Sequence, residues 1–410
     1  MIFSPRRRSV RIAKAKAGGE YINKIMNIKM KQIAIKSALA FSCLILMAAL
    51  ADHQVMAEDQ DGYLAVTGPC HQTFPKDHGP HPGFRTEWWY YTGNLVAESG
   101  DRYGFQLTFF RSQISPTDAV QDWPRPSSAW RTQQIYAGHV AVTDLNKKRH
   151  QHAELLGREA LGIAGISQEG FQTKVFIKNW SATIGAEGHH LMAHTAEFAI
   201  DLRLTSAKPP VLHGQAGYSR KGSTAERASC YYSLTRLISK GWLQIDGQRV
   251  EVEGLSWMDH EYSTASLEEG IVGWDWFSLQ FSDQTELMLY LLREENGKIN
   301  AASSGTFIDP SGKPQHLTRE DFSVTPLRQW KSPRSEAVYP VAWRVNVAPL
   351  ALQVTIEANL TDQEMVTSAS TGVTYWEGSV SASGSVGKQP VKASGYVELT
   401  GYAKALRAPL

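Results

Sequence analysis

The chain has 410 residues, with 42 Lys and Arg against 40 Asp and Glu and a formal charge of +2. This length suits two domains of ordinary size better than a single core. After the first 57 residues the chain has no block rich in Lys and Arg, so it lacks the electrostatic footprint of a nucleic-acid-binding protein.

The first 57 residues have the pattern of a secretory signal. An apolar run at 37–51 (SALAFSCLILMAALA) follows a lysine-containing stretch and leads into small residues suited to cleavage. Residues before Met26 or Met30 resemble an upstream extension. We expect export to the periplasm or beyond and no stable membrane span in the mature protein, an uncleaved anchor being the alternative. Without 1–57 the chain has 32 basic and 38 acidic residues, a net charge of −6.

Residues 58–86 are rich in Gly, Pro and His and are expected to form an irregular entry segment. Two cysteines remain after the leader, Cys70 and Cys230. Export makes a disulfide between them possible, and two unpaired thiols are the alternative.

From Glu87 onward the sequence favours short β-strands. Runs with period-two alternation are separated by turn residues, a pattern typical of antiparallel barrels or sandwiches. The predicted strands are 95–97, 103–110, 135–142, 170–177, 198–204, 243–252, 277–281, 287–292, 341–347, 352–356 and 396–399. Residues 155–166 (LLGREALGIAGI) could be helical, although their glycines weaken that prediction.

The chain repeats itself. An acid beside tryptophan opens a hairpin that closes at an arginine, and an aromatic pair and a glycine-ended strand follow. The first copy contains Glu87-Trp88-Trp89-Tyr90-Tyr91, Arg111, Tyr231-Tyr232 and 250–254, and the second contains Asp275-Trp276-Phe277, Arg293, Tyr375-Trp376 and 391–395. We predict an internal duplication with closely touching domains at 58–265 and 266–410, and two cavities or one shared cavity.

Side-chain alternation and the returning arginines indicate that the acids that open the hairpins form structural ion pairs. Glu87 and Arg111 stand at the two ends of the first hairpin, and Asp275 and Arg293 at the two ends of the second. We predict one buried structural ion pair in each copy.

The densest cluster of possible catalytic groups is 256–262 (SWMDHEY). In a strand, Trp257, Asp259 and Glu261 share one face and His260 takes the other, and a barrel turns one of these faces into its cavity. A carboxyl buried beside tryptophan keeps its proton and can act as a general acid near neutral pH. Asp259, Glu261 and His260 are therefore the candidate catalytic residues. The alternative is acids paired with arginines at a domain seam and a core histidine.

Aromatic side chains near this cluster are candidates for binding a ligand. Alternation places Trp274 and Trp276 together, opposite Asp275, where they line a cavity or simply pack in a core. The other candidate ligand-binding residues are Trp88, Tyr90, Trp257, Tyr231 and Tyr232.

Several other kinds of site are excluded by spacing. There is no Gly-x-Ser-x-Gly, no His-Glu-x-x-His and no glycine-rich phosphate loop. His189, His190 and His194 are better explained by a polar loop than by a metal site. We therefore predict no metal and no nucleotide cofactor.

Six motifs together resemble the AttH/CrtC-like family of lipocalin-related proteins. They are HPGFRTEWWYYTGNL (81–95), GYSRKG (217–222), SWMDHEY (256–262), GWDWFSLQ (273–280), TYWEG (374–378) and GYVELTGY (395–402). The resemblance covers nearly all of the mature chain and implies an all-β protein with two tandem lipocalin-like antiparallel barrels. This chain is most similar to the exported AttH-like members.

The resemblance also implies a class of activity. The family includes carotenoid 1,2-hydratases and is related to fungal lipocalin-like pericyclases, which act on long apolar substrates without a cofactor. We therefore expect a hydrophobic small-molecule ligand, polyene-like or isoprenoid-like, and a hydratase or isomerase reaction on Asp259 or Glu261. A non-catalytic carrier is the alternative, and a scaffold with filled barrels is a third. The sequence indicates no oligomeric state.

Overall fold

The computed structural model describes residues 57–406 except 124, 126 and 127. All but the last residue of the predicted leader therefore lies outside the described residues. The described residues form 25 strands and four short 3-10 helices. The strands of the first half are β1 (Ala57–Glu58), β2 (Leu64–Ala65), β3 (Thr86–Ala97), β4 (Arg102–Gln113), β5 (Gln134–Asp144), β6 (Arg149–Arg158), β7 (Ala164–Glu169), β8 (Gln172–Ile177), β9 (Trp180–Gly185), β10 (Gly188–His194), β11 (Phe198–Ser206), β12 (Val211–Leu212), β13 (Tyr218–Arg220), β14 (Ala228–Ile245) and β15 (Gln248–Ser263).

The second half adds ten strands. They are β16 (Ile271–Phe281), β17 (Glu286–Glu294), β18 (Ser304–Ile308), β19 (Pro314–Leu317), β20 (Phe322–Lys331), β21 (Val338–Val347), β22 (Leu352–Ala358), β23 (Glu364–Thr367), β24 (Val373–Val386) and β25 (Gln389–Leu399). The 3-10 helices are Lys76–His78, Thr117–Asp122, Arg319–Asp321 and Ala348–Leu350.

The first large sheet is an antiparallel barrel with a filled interior. Its order is β6-β5-β4-β3-β15-β14-β11-β10-β9-β8-β7, and β12 and β13 pair with β14. The two edge strands, β6 and β7, lie close together. A Cβ added at Gly157 of β6 would lie 3.0 Å from Ala164 Cβ of β7, so the barrel is nearly closed. Inward-facing side chains such as Trp89, Phe105 and Leu191 are fully buried in one cluster, so burial of apolar surface holds this barrel together.

The second large sheet repeats the plan with fewer strands. Its order is β19-β18-β17-β16-β25-β24-β22-β21-β20, and β23 pairs with β24. Its interior is filled by side chains such as Phe277, Trp343 and Trp376. The predicted change of domain after residue 265 falls in the segment 264–270, which connects the two sheets.

Polar contacts join the two barrels on one side. Glu286 of β17 is fully buried between two cations of the first barrel, with Lys208 Nζ at 2.7 Å and Arg236 Nε also bonded to it. A buried carboxylate with two cations satisfies its charge without water.

A histidine joins the barrels at a second place. His139 of β5 is buried, and its Nδ1 lies 2.8 Å from the Tyr375 hydroxyl of β24. Its Nε2 lies 2.9 Å from Ser370 Oγ. Both contacts cross from the first barrel to the second, so side chains of β5 and β24 help to fix the position of one barrel against the other.

A disulfide ties the entry segment to the first barrel. Cys70 and Cys230 are bonded to each other, so the alternative prediction of two unpaired thiols is wrong. Both lie in a small buried cluster with Val66, Phe84 and Tyr262. The disulfide therefore attaches the entry segment, residues 57–85, to β14 immediately before the aromatic pair Tyr231-Tyr232.

The predicted fold is confirmed: the chain is almost entirely β-structure in two lipocalin-like antiparallel barrels. The helical alternative at 155–166 is wrong, because β6 runs to Arg158 and β7 begins at Ala164. Within the described part of the chain, no helix has the length and apolar character needed to cross a bilayer.

Candidate functional site

The candidate site is a cavity between the two barrels, about 1080 Å³ in volume including its solvent-filled mouth. Of the two expected arrangements, this cavity agrees with the one shared by both domains and not with a cavity inside each barrel, because large side chains fill both interiors. The faces that enclose the site are the outward faces of both sheets. The lining residues are Thr86, Trp88, Tyr90, Phe110, Lys221, Tyr231, Asp259, Glu261, Ser263, Ala265, Ser266, Leu267, Trp274, Trp276, Tyr290, Leu292, Glu398 and Leu406.

Alternation along β15 brings two carboxyls to this cavity. Asp259 and Glu261 face the second barrel, whereas Met258 and His260 face the interior of the first. Trp257 lies on the same face as the two acids but beneath them, packed against the edge of Trp276. The strand is buried on both faces because one face packs in its own barrel and the other against the neighbouring barrel.

Asp259 is the acid best placed for proton transfer. It is 5% exposed, and burial raises its pKa to about 7 although three donors bond to it. Tyr231 Oη donates to Oδ2 at 2.7 Å, Trp257 Nε1 donates to Oδ1 at 2.6 Å, and Ser233 Oγ also donates to Oδ1. The nearby charge of Glu261 raises the pKa further. A carboxyl with this pKa exchanges its proton at neutral pH.

Two further groups hold the donors of Asp259 in place. Trp276 Nε1 of the second barrel donates to the Tyr231 hydroxyl at 3.1 Å. His213 Nε2 lies 2.6 Å from Ser233 Oγ, and its Nδ1 lies 2.8 Å from Thr306 Oγ1 of the second barrel. Burial holds the pKa of His213 well below its usual range, so this imidazole is neutral and orients the serine hydroxyl.

Glu261 differs from Asp259 because a cation partners it. Lys221 Nζ lies 3.0 Å from Glu261 Oε1, and Ser229 Oγ donates to the same oxygen. The ammonium also lies over the rings of Tyr231 and Tyr290, at 4.9 and 4.2 Å from their centres. Burial alone would lower the pKa of Lys221, but the charge of Glu261 outweighs it and the pKa is raised. Glu261 is therefore held in an ion pair, whereas Asp259 is not.

A third carboxyl of the cavity, Glu398, was missed by the sequence predictions. It lies on β25 and is half-buried, and Trp274 Nε1 donates to its Oε2 at 2.8 Å. Burial raises its pKa to about 7, and the charges of Asp259 and Glu261 raise it as well. The alternation Tyr396-Val397-Glu398 could have identified Glu398 as a cavity residue. Val397 packs in the barrel interior, so Tyr396 and Glu398 face the other barrel.

Glu377 was also missed. It is fully buried between the barrels and does not line the cavity. The Tyr90 hydroxyl donates to its Oε1 at 2.7 Å, and no described residue bonds to its Oε2. Burial raises its pKa well above the usual range, and the neighbouring charge of Glu398 adds to the effect. Burial without a cation partner therefore favours the protonated form of Glu377.

Three of the predicted site residues do not line the cavity, namely Trp257, which lies beneath the acids, and two residues of the first barrel's interior. His260 and Tyr232 are fully buried inside the first barrel, where His260 Nδ1 lies 3.0 Å from the Tyr232 hydroxyl and Nε2 lies 2.8 Å from Glu87 Oε1. They occupy this position because the period-two alternation of β14 and β15 turns them away from Asp259 and Tyr231. His260 therefore has no access to a ligand between the barrels.

The arginines that close the two hairpins lie beside the acids that open them. Arg111 Nε donates to Glu87 Oε2 at 2.8 Å inside the first barrel. Arg293 Nε donates to Asp275 Oδ1 at 2.8 Å in the second. Both pairs lie on the face opposite the cavity, on strands that carry cavity residues on their other face.

One group among the described residues has the spacing to hold a metal ion. Its ligand atoms, from His81, Glu87 and His260, lie within 4.8 Å of one another. Both histidines already bond to Glu87 Oε1 at 2.8 Å, and Arg111 places a positive charge on the other carboxylate oxygen. This arrangement suits a hydrogen-bonded network better than a cation. The polar loop expected at His189, His190 and His194 is instead strand β10.

Comparisons with known proteins agree with the sequence resemblance. The model of the AttH-like family matches residues 65–402. The crystal structure of a protein assigned as AttH from Nitrosomonas europaea is 33% identical, with a TM-score of 0.72, and the match covers 82% of this chain and 99% of that one. None of the curated proteins matches this chain.

A more distant solved structure has the same fold. Kievitone hydratase from Nectria haematococca is 15% identical, with a TM-score of 0.60, and the match covers 85% of this chain and 98% of that one. At this identity the likeness shows a shared architecture. An arrangement of two lipocalin-like barrels is therefore established for the chain.

Proposed function

This chain belongs to the AttH-like family, and we propose that it is a cofactor-free hydratase that adds water to a carbon–carbon double bond of an apolar molecule held between its barrels. The observation that carries the proposal is Asp259, a buried acid with a pKa of about 7 on the wall of an aromatic cavity. The activity in the name of kievitone hydratase, which shares the fold, supports the same reaction class.

The chemistry follows from what the cavity provides. The Asp259 carboxyl donates its proton to one alkene carbon, the π electrons form the new C–H bond, and the other carbon becomes a cation. Aromatic faces such as those of Trp88 and Trp276 stabilise a cation without reacting with it. Water then adds to the cation and loses a proton. A substrate with a trisubstituted double bond, as in isoprenoids and polyenes, fits because it gives a tertiary cation.

A carrier without catalysis is the second candidate. The apolar cavity suits it, and the ion pair of Glu261 with Lys221 would then serve structure. The position of Asp259 argues for the enzyme. It lines the cavity, and among the described residues no cation lies within ion-pair distance of its carboxyl. An acid kept only for structure is normally paired or fully hydrogen-bonded away from a ligand.

The test uses acyclic isoprenoids with trisubstituted double bonds, such as farnesol and lycopene, incubated with the protein in ¹⁸O-labelled water. We expect a tertiary alcohol that contains ¹⁸O from the wild type and at least about 100-fold less from Asp259→Asn. Asp118→Asn, at an exposed position of the first barrel, is the matched control. Tryptophan quenching by the isoprenoids without any product in the wild type would identify a carrier.

We also propose that the protein acts after export. The signal-like pattern of residues 1–57 supports this, and so does the disulfide between Cys70 and Cys230, since such bonds persist in oxidising compartments. Fractionation of cells that express the full chain, with protein sequencing of the mature N-terminus, tests it. Recovery of an uncleaved chain in the cytoplasm would contradict the proposal.

A further inference from the structure

Two carboxyls of the cavity come from different barrels and have similar surroundings. Asp259 lies on β15 of the first barrel and Glu398 on β25 of the second, and both line the same space. The charge of Asp259 raises the pKa of Glu398, so the two groups interact. They differ in their donors, since three bond to Asp259 and one, Trp274 Nε1, bonds to Glu398.

Cross-strand register shows how the duplication produced this arrangement. In the first barrel Glu261 is paired with Trp88 and with Tyr231. In the second, Glu398 is paired with Trp276 and with Glu377. Glu261 and Glu398 thus hold the same position of the repeat, each opposite the tryptophan that follows the acid of the hairpin.

The two copies differ in charge. Lys221 neutralises Glu261 at 3.0 Å, whereas no cation among the described residues lies within ion-pair distance of Glu398. One copy of the repeated acid is therefore held by a cation, and the other faces the cavity without one. Glu377 is the remaining acid nearby, and it is fully buried away from the cavity.

We propose that Glu398 is the second catalytic carboxyl of the cavity and accepts the proton of the water molecule that adds to the double bond. This inference rests on the hydratase function proposed above and assigns the base that the reaction needs. Glu398 is suited to the role because it reaches the cavity from the barrel opposite Asp259, so a planar alkene between the barrels has an acid on one side and a base on the other.

The step is balanced in atoms and charge. Asp259 gives one proton to carbon and becomes a carboxylate. The oxygen of water forms the C–O bond with the cation, and the Glu398 carboxylate takes the proton that this oxygen releases. After product leaves, one proton returns from Glu398 to Asp259 through the solvent of the open cavity, which restores both groups.

The test separates protonation of the alkene from addition of water. The variant Glu398→Gln is incubated with farnesol in deuterated, ¹⁸O-labelled water. We expect hydration to fall about 100-fold or more with KM changed less than about 3-fold, because the base is lost and the walls of the cavity remain. Deuterium should still enter the unreacted alkene, because Asp259 still protonates carbon and the cation then reverts.

The pH dependence gives a second readout. The wild-type rate should have a narrow bell shape, because one carboxyl must be protonated and the other ionised. Glu398→Gln should lose the acidic limb and keep the alkaline one. The other titratable groups facing Glu398 are Asp259, Glu261 with its partner Lys221, and Glu377, and all of them are retained in this variant.

The outcomes distinguish this inference from the proposed function. Normal hydration and an unchanged bell in Glu398→Gln, with Asp259→Asn inactive, would overturn the role of Glu398 and leave the hydratase intact. Normal hydration in both variants would overturn both. Glu320→Gln, at an exposed position of the second barrel, is the matched control, and unchanged thermal unfolding of Glu398→Gln excludes loss of fold as the cause.

Discussion

Tyr231 donates a hydrogen bond of 2.7 Å to Asp259, and its own oxygen accepts one of 3.1 Å from Trp276 of the other barrel. The contact couples the position of the second barrel to the acidity of a residue in the first. Each donor to Asp259 stabilises the carboxylate and lowers its pKa, in opposition to the effect of burial.

Replacing Tyr231 by phenylalanine should therefore make Asp259 a weaker acid. One hydrogen bond to a charged group contributes about 1.5–3 kcal/mol, so its loss should raise the pKa of Asp259 by about one unit or more. Because Asp259 is active when protonated, the alkaline limb of the rate profile should move to higher pH. A pH–rate series checks this, with Tyr218→Phe, whose hydroxyl bonds to Ala225 outside the cavity, as control. An unmoved alkaline limb would contradict the role of Asp259 as proton donor.

The two hairpin ion pairs offer a matched comparison of stability. The Glu87 and Arg111 side chains are 0% and 2% exposed, and those of Asp275 and Arg293 are 11% and 16% exposed. Removing one partner of a buried pair typically costs about 3–5 kcal/mol, since the other charge is left without compensation. We expect Arg111→Met to approach this loss and Arg293→Met to lose less, about 1–3 kcal/mol.

Urea unfolding followed by tryptophan fluorescence measures both losses. The double change Glu87→Gln with Arg111→Met should recover part of the stability, because no uncompensated charge then remains in the first barrel. Equal losses for the two single arginine variants would contradict the dependence on burial.

The fold could be predicted from the sequence because its strands carry a strong local signal. Alternation at 103–110 and 198–204 places one residue in two toward a core, and the structure has β4 and β11 at these positions. Alternation also predicts that Trp257, Asp259 and Glu261 share a face, since the period of a strand is two residues wherever the strand lies.

The location of the cavity could not be predicted in the same way. Alternation separates the two faces of a strand but does not tell whether the second face meets solvent, a barrel interior or another barrel. In β15 every residue from Ser256 to Ser263 is buried, so both faces look like core. The position of the site depends on how the barrels pack, which depends on distant contacts such as those of Glu286 and His139.

Glu398 was not predicted because sequence similarity and hydrogen-bonded register align the two copies differently. Matching the glycine-ended segments aligns Gly254 with Gly395 and leaves no acid equivalent to Glu261 in the second copy. The hydrogen-bonded register instead aligns Glu261 with Glu398, since each lies opposite the tryptophan of its hairpin. Cross-strand pairing fixes the equivalence between barrels. Gly254 and Glu261 are seven residues apart within β15, whereas Gly395 and Glu398 are three apart within β25, and this difference hides the equivalence from the sequence.

Loss of the disulfide should destabilise the first barrel and free its entry segment. Cys70 and Cys230 are 160 residues apart in sequence, and closing a loop of this size contributes about 2–5 kcal/mol by restricting the unfolded chain. We expect Cys70→Ser with Cys230→Ser to lower the unfolding midpoint and to expose residues 57–85 to proteases. Limited proteolysis with mass spectrometry checks the second effect, and wild-type protein in reductant should behave like the variant. A resistant entry segment would contradict this role.

The raised pKa of Glu377 makes the stability of the folded protein depend on pH. Its pKa in the folded protein is raised well above that of an unfolded glutamate, mainly by burial. A carboxyl of this kind favours the folded state fully when pH is below its unfolded pKa, and the benefit is lost as pH rises through the folded pKa. Asp259 and Glu398, both with a pKa of about 7, add to the same trend. Buried histidines such as His139, whose pKa is lowered to about 3 by burial, have the opposite effect up to their unfolded pKa of about 6.5, so the unfolding temperature of the wild type should fall with rising pH above about pH 7.

Replacing Glu377 by glutamine should remove its part of this dependence. The amide keeps the shape of the protonated acid and still accepts the hydrogen bond from Tyr90, so the two proteins should be equally stable near pH 5. Above neutral pH the variant should be more stable, by about 1–2 kcal/mol or a few degrees in Tm. Thermal unfolding between pH 5 and 9, with Glu320→Gln as the exposed control, measures the difference. Parallel plots of unfolding temperature against pH for wild type and Glu377→Gln would mean that this carboxyl is ionised in the folded protein. Its fully buried position between the barrels argues against that outcome.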